Sequence, residues 1–126
     1  MSLITLGSQT FGLPVELKKS TVAHNELILT ATIYETDGTT EADVSADTAI
    51  KLRKSGDTSD TISKTQADAE VMVTGAGSNE VTVTFTATDM DIDAGDYDLE
   101  LRCGIGGGAE YTIAVIRLSV SPTLFT

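Results

Sequence analysis

Tryptophan is absent from these 126 residues, and cysteine occurs once, at Cys103. One thiol cannot close an internal disulfide, so packing and hydrogen bonding must hold the chain together, as fits a reducing compartment. Proline is almost absent too. Pro14 and Pro122 lie near the two ends, and neither interrupts the middle of the chain. Basic residues are scarce, 8 against 19 acidic ones, for a formal net charge of −11. A surface so acidic repels phosphate, which argues against nucleic acid as a partner. Histidine occurs only as His24. It has no second histidine to share a metal and no nucleophile signature around it, so it reads as a surface or loop residue. No apolar run approaches the roughly 20 residues of a membrane span. No basic block precedes an apolar stretch near Met1, so no secretion signal is expected.

What the chain does have is alternation. Leu27, Leu29, Ala31 and Ile33 alternate with more polar neighbours, and Asp37-Gly38 then marks a turn. Ile50 and Leu52 alternate with Lys51 and Arg53. A weaker strand is expected around Ile62 and another at Val71 and Val73, closed by Gly75 to Asn79. Val81, Val83 and Phe85 alternate with threonines, and Tyr97, Leu99, Leu101 and Cys103 with Asp98, Glu100 and Arg102. Residues 111–120 change phase between Val115 and Ile116, which predicts a bulge there or burial on both faces. The only helical signal is one turn around Thr88 to Ile92. Seven or more short strands separated by turns predict one all-β, antiparallel sandwich spanning residues 1–126, with its core in about 20–122.

The stretch from Met90 to Leu101 carries the most information. Asp93-Ala94-Gly95-Asp96-Tyr97 leading into a strand is the pattern of a tyrosine corner in an immunoglobulin-like sandwich. The Tyr97 ring would enter the core, and its hydroxyl would bond backbone a few residues upstream. Leu99 stands where antibody domains place a disulfide cysteine, so a contact with Leu27 or Leu29 would replace that bridge. Cys103 reads as a buried, inert thiol.

The same stretch also offers carboxylates. Asp89, Asp91, Asp93 and Glu100 match positions 1, 3, 5 and 12 of an EF-hand loop. Ala94 occupies the position that needs glycine, and a strand follows where a helix is required, so an EF-hand is not expected. A looser calcium site from Asp89, Asp91, Asp93 and Asp96 remains the alternative to a solvated acidic loop. Gly104 to Gly108 lack the Lys-Ser/Thr of a phosphate loop and read as a hairpin connection. No acidic pair or nucleophile is placed in a constellation for catalysis, so no enzyme is expected and no cofactor is assigned. Lys51, Arg53 and Lys54 share a strand end that could meet an acidic loop such as Asp89–Asp93 on a neighbouring copy.

The two ends are apolar without regular alternation. Leu3, Ile4, Leu6 and Phe11 lie in residues 1–13, and Leu124 and Phe125 in 121–126. They read either as edge strands covering the core or as arms that dock on other subunits, and these six residues are the interface candidates.

Taken together, several segments resemble a bacteriophage immunoglobulin-like structural module, of the kind found as the N-terminal domain of phage upper baseplate proteins. They are Glu26 to Tyr34 with Asp37-Gly38, Asp43-Val44-Ser45 running into Ala49 to Lys54, Val81 to Met90, Asp93 to Leu101, and the closing Val120-Ser121-Pro122. The resemblance covers about residues 20–122. It implies a non-enzymatic structural protein of the virion (tail, baseplate, neck or head-associated), assembled in the bacterial cytoplasm. Its partners would be itself, as a homo-oligomer, or neighbouring virion proteins. A ligand-binding immunoglobulin-like module for surface glycan or calcium is the alternative.

Overall fold

The computed structural model describes residues 2–10, 14–35, 37–44, 48–74, 79–104 and 110–123. Nine strands are found among them: β1 (Ser2–Thr10), β2 (Val15–Val22), β3 (Leu27–Tyr34), β4 (Ala49–Lys54), β5 (Ile62–Thr65), β6 (Val71–Thr74), β7 (Glu80–Phe85), β8 (Gly95–Gly104) and β9 (Glu110–Ser121). They form two sheets, I in the order β1-β3-β7-β6 and II in the order β2-β9-β8-β4-β5.

The alternation read from the sequence builds the core directly. Side chains on a strand point alternately to its two faces, so every second residue of β3, β7, β8 and β4 is buried. In sheet I, Leu27 pairs with Phe85 and Leu29 with Val83. In sheet II, Leu99 pairs with Leu52 on one side and Ile116 on the other. Leu27, Leu29, Ile33, Leu52, Val83, Phe85, Tyr97, Leu99, Leu101 and Leu118 all lie in this core. Leu27, Leu29 and Leu99 are fully buried in the same apolar cluster, which fills the place of a disulfide between the sheets. Each such side chain contributes about 1.5–3 kcal/mol by leaving water.

Two details differ from expectation. The strands from β3 to β9 pair antiparallel, but both sheets are mixed. β1 adds to β3 in parallel, and β2 adds to β9 in parallel. Parallel pairing leaves no mark on alternation, so the sequence could not show it. The bulge in β9 lies earlier than Val115-Ile116. Leu101 pairs with Ala114 and Arg102 with Thr112, so Ile113 is the extra residue. Ile113 and Ala114 are therefore both buried in succession, and this produces the change of phase.

The Asp37-Gly38 turn forms as read. The Asp37 carboxylate accepts the Thr39 and Thr40 amides at 2.9 and 2.8 Å, and Gly38 sits at φ 77°. The Thr40 hydroxyl and these amides hold its pKa at about 2. The turns expected from the sequence at 75–78 and 105–108 lie outside the described residues.

Candidate functional site

The Met90–Leu101 stretch folds as a corner. The Tyr97 hydroxyl donates to the Asp93 carbonyl at 2.7 Å, and the ring is 2% exposed. Burial raises its pKa, and the Asp93 and Asp57 charges add to this. Gly95 reaches φ 146°, a conformation that L side chains rarely adopt, which explains the glycine two residues before the tyrosine.

Just upstream the chain makes one helix-like turn, with the Met90 amide donating to the Thr86 carbonyl at 3.0 Å. Thr86 and Asp89 cap it reciprocally. The Thr86 amide donates to Asp89 Oδ2 at 2.9 Å, and the Asp89 amide donates to Thr86 Oγ1 at 3.1 Å. Asp89 Oδ2 also lies 3.1 Å from Lys64 Nζ, which is 3.3 Å from Glu70 Oε1. Lys64 points inward from β5 and is 7% exposed. Burial pulls its pKa down, but the hydrogen bonds and charges of Asp89 and Glu70 outweigh that and raise it. Burial acts the other way on Asp89, and the Thr86 amide and Lys64 overcome it, so that pKa is lowered.

The four calcium candidates therefore do not converge. Asp89 turns to Lys64, and Asp91 Oδ1 lies 3.3 Å from His24 Nδ1. Asp93 offers its carbonyl to Tyr97, and Asp96 lies on β8 opposite Ser119. Glu100 points outward and accepts from Thr112 at 3.1 Å. Among the described residues no three His, Cys, Asp or Glu side chains are grouped to hold a metal. His24 is a turn residue in the left-handed region, φ 68°. Cys103 is buried, and the Thr48 hydroxyl donates to its Sγ at 3.8 Å.

The two outer faces differ sharply in charge. All 8 basic residues of the chain lie on strands of sheet II. Lys51 and Arg53, expected to face a neighbour's acidic loop, reach Asp60 of their own chain at 3.3 and 2.7 Å. The Arg53 hydrogen bond is the main cause of the lowered Asp60 pKa. With Asp98, Glu100 and Arg102 these residues line an open groove of about 430 Å³ on the outer face. Arg117 Nε lies 4.0 Å from Asp98. Sheet I is the opposite. Glu80 is the only charged residue in its four strands. Its outer side presents threonines from β3 and β7, with Leu3 (60% exposed) and Met72 (53%) on the edge strands.

Of the six interface candidates, Ile4 and Leu6 lie in the core of their own chain, 4% and 9% exposed, because β1 is a strand of sheet I and points them inward. Leu3 is exposed. Phe11, Leu124 and Phe125 lie outside the described residues. Sequence reading missed Lys64, Met90 and the neutral face of sheet I. Thr30 and Thr32, and Thr82, Thr84 and Thr86, at alternate positions were the available signal for that face.

The corner, the two packed sheets and the disulfide-free core define an immunoglobulin-like β-sandwich. No family model matches the chain, and no curated protein sequence matches it. In structure it is similar to the N-terminal domain of phage TP901-1 ORF48, at 12% identity and a TM-score of 0.54, over 96% of this chain and 99% of that one. It also aligns with Tim-1 (18% identity, TM-score 0.38, 90% of this chain and 97% of that one) and with the V domain of amphioxus IgVJ-C2 (13%, 0.28, 85% and 99%). The first likeness is one of fold, and the other two carry no argument.

Proposed function

We propose that this chain is a non-enzymatic structural component of a phage or prophage particle. It works through surface contacts with copies of itself or with neighbouring particle proteins. The observation that supports this reading is the likeness to the phage ORF48 domain, which runs the length of both chains. The placement of the polar groups agrees with it. Lys64, Asp89 and Glu70 tie β5 to the capped turn, and Tyr97 ties β8 to Asp93, so these groups serve the fold.

Mass spectrometry of purified particles from a strain carrying the gene tests the proposal. The chain should co-purify with tail or head proteins in a fixed ratio. Its absence from intact particles, while abundant in the lysate, would overturn the reading. Deleting residues 1–12 is a poor test of contact, because it also removes Ile4 and Leu6 from the core.

A further inference from the structure

Asp37 is the only aspartate or asparagine in this chain that a glycine follows. The turn after β3 demands both residues. Gly38 sits at φ 77°, in the left-handed region that glycine enters freely. Asp37 supplies the carboxylate that gathers the Thr39 and Thr40 amides. The same pair carries a chemical hazard. With no side chain on Gly38, its amide nitrogen is open to attack the neighbouring Asp37 side-chain carbon and close a five-membered imide.

We propose that Asp37-Gly38 is a site of spontaneous backbone isomerisation, and that the folded turn holds it shut until the turn opens. In the first step the Gly38 nitrogen forms a bond to Asp37 Cγ. The hydroxyl of the neutral carboxyl group leaves, and the proton from the nitrogen completes a water molecule. Water then adds back to the imide. Addition at the former side-chain carbonyl restores aspartate. Addition at the former main-chain carbonyl gives isoaspartate, whose backbone runs through the β-carbon. Only water is lost and regained, so the mass is unchanged.

Three features of the folded turn oppose the first step. The Gly38 amide donates to the Glu35 carbonyl at 2.8 Å, so its proton is already engaged. Both carboxylate oxygens are engaged too. Oδ1 accepts the Thr39 and Thr40 amides, and Oδ2 accepts the Thr40 hydroxyl. Closing the imide expels one of those oxygens and breaks the bonds it accepts. The reactive neutral acid is also scarce, because the Thr40 bonds foremost hold the pKa at about 2.

The residues around the turn make the product costly to refold. The Glu35 amide donates to the Thr40 carbonyl at 2.8 Å, the Ala42 amide donates to the Ile33 carbonyl at 3.2 Å, and Tyr34 bridges Glu41. These bonds seat Ala42, which is fully buried in the core. Isoaspartate inserts an extra backbone carbon into this short hairpin and works against them. Opening permits the reaction and the product hinders reclosing, so isoaspartate at this position marks molecules whose turn has opened.

Incubation of the full chain at neutral pH, folded and in guanidinium chloride, tests this. Mapping with a protease that cuts before aspartate but not before isoaspartate reads the conversion. The folded chain should convert at least about tenfold more slowly than the unfolded one. Thr40→Val removes the hydroxyl bond at an exposed position. It should keep the circular dichroism spectrum, convert about fivefold faster than the folded wild type, and match the wild type in guanidinium chloride. Hydrogen exchange at the Gly38 amide should quicken in the same variant, and the purified isoaspartate form should melt below the wild type. Equal rates in the folded and unfolded wild type, no isoaspartate in the unfolded chain, or a folded Thr40→Val that converts no faster than wild type would each overturn the proposal.

Discussion

Asp89 is the side chain whose removal should reveal most about this sandwich, because two separate interactions meet on its carboxylate. Asp89→Ala deletes the cap on the Thr86 amide and one of two anions facing Lys64 Nζ. A lost cap costs about 1 kcal/mol. A charge-assisted bond from a lysine side chain 9% exposed is worth about 1.5–3 kcal/mol on its own. Glu70, 3.3 Å from the same nitrogen, retains part of that interaction. The expected total is about 2 kcal/mol, or a Tm lower by about 8 °C for a domain of this size. Asp89→Asn keeps an acceptor for the Thr86 amide and loses only the charge, so it should cost about half as much.

The pH dependence follows from the lowered Asp89 pKa. A carboxyl that titrates below its ordinary 3.8 when folded stabilises fully above that value, and the contribution fades as pH falls through the folded pKa. Lys64 is raised above 10.5, so its contribution is present below 10.5 and is lost as pH climbs through its folded value. Urea unfolding of wild type and Asp89→Ala should therefore differ by a constant amount from mildly acidic to mildly alkaline pH, and the gap should narrow in acid below pH 3.8. A difference under about 0.5 kcal/mol at neutral pH, or one unchanged in acid, would refute the reasoning.

Three further outcomes are expected. Tyr97→Phe removes the bond to the Asp93 carbonyl, which lies at an exposed residue that water can reach. It should cost only about 1 kcal/mol in urea unfolding, and a cost above about 3 kcal/mol would mean that the hydroxyl does more than tie the corner. Gly95→Ala forces a side chain into φ 146°, where the nearest atom, Lys54 Cε at 3.8 Å, causes no clash. A loss of about 1–3 kcal/mol would therefore be backbone strain, and a neutral result would show that the corner can relax. Burial pushes the Cys103 thiol to about 11, with Thr48 acting weakly against it. A thiol reagent at neutral pH should label it only at the rate of unfolding, and immediate labelling of the native protein would contradict its burial.

The core was legible because a strand shows its buried face at every second residue. Leu27 to Ile33, Val81 to Phe85 and Tyr97 to Cys103 all followed that rule. The corner was legible because Gly95 and Tyr97 each answer a specific local demand, one of backbone and one of hydrogen bonding. Pairing direction was not legible, since β1 and β2 look the same in sequence whether they join parallel or antiparallel. Lys64 was hidden for a related reason. Its position on β5 points inward, and only the distant Glu70 and Asp89 make that burial tolerable. The calcium candidates were read from spacing alone, and spacing could not show that Asp89 and Asp91 turn toward different side chains, Lys64 and His24.

The parallel ladder between β2 and β9 sets a schedule for synthesis. Val15 pairs with Ala114 and Val22 with Ser121, so every rung joins residues 99 positions apart. Residues 114–121 must have left the ribosome before β2 can find its neighbour. Contacts this distant form slowly, because the intervening loop must close before any bond repays it. During that interval β2 waits unpaired with its lysines, whereas β1, without a single charge, needs only β3, Ser2 pairing with Leu27. Their different composition gives the incomplete protein one edge that invites association and one that resists it, well before the sandwich has closed.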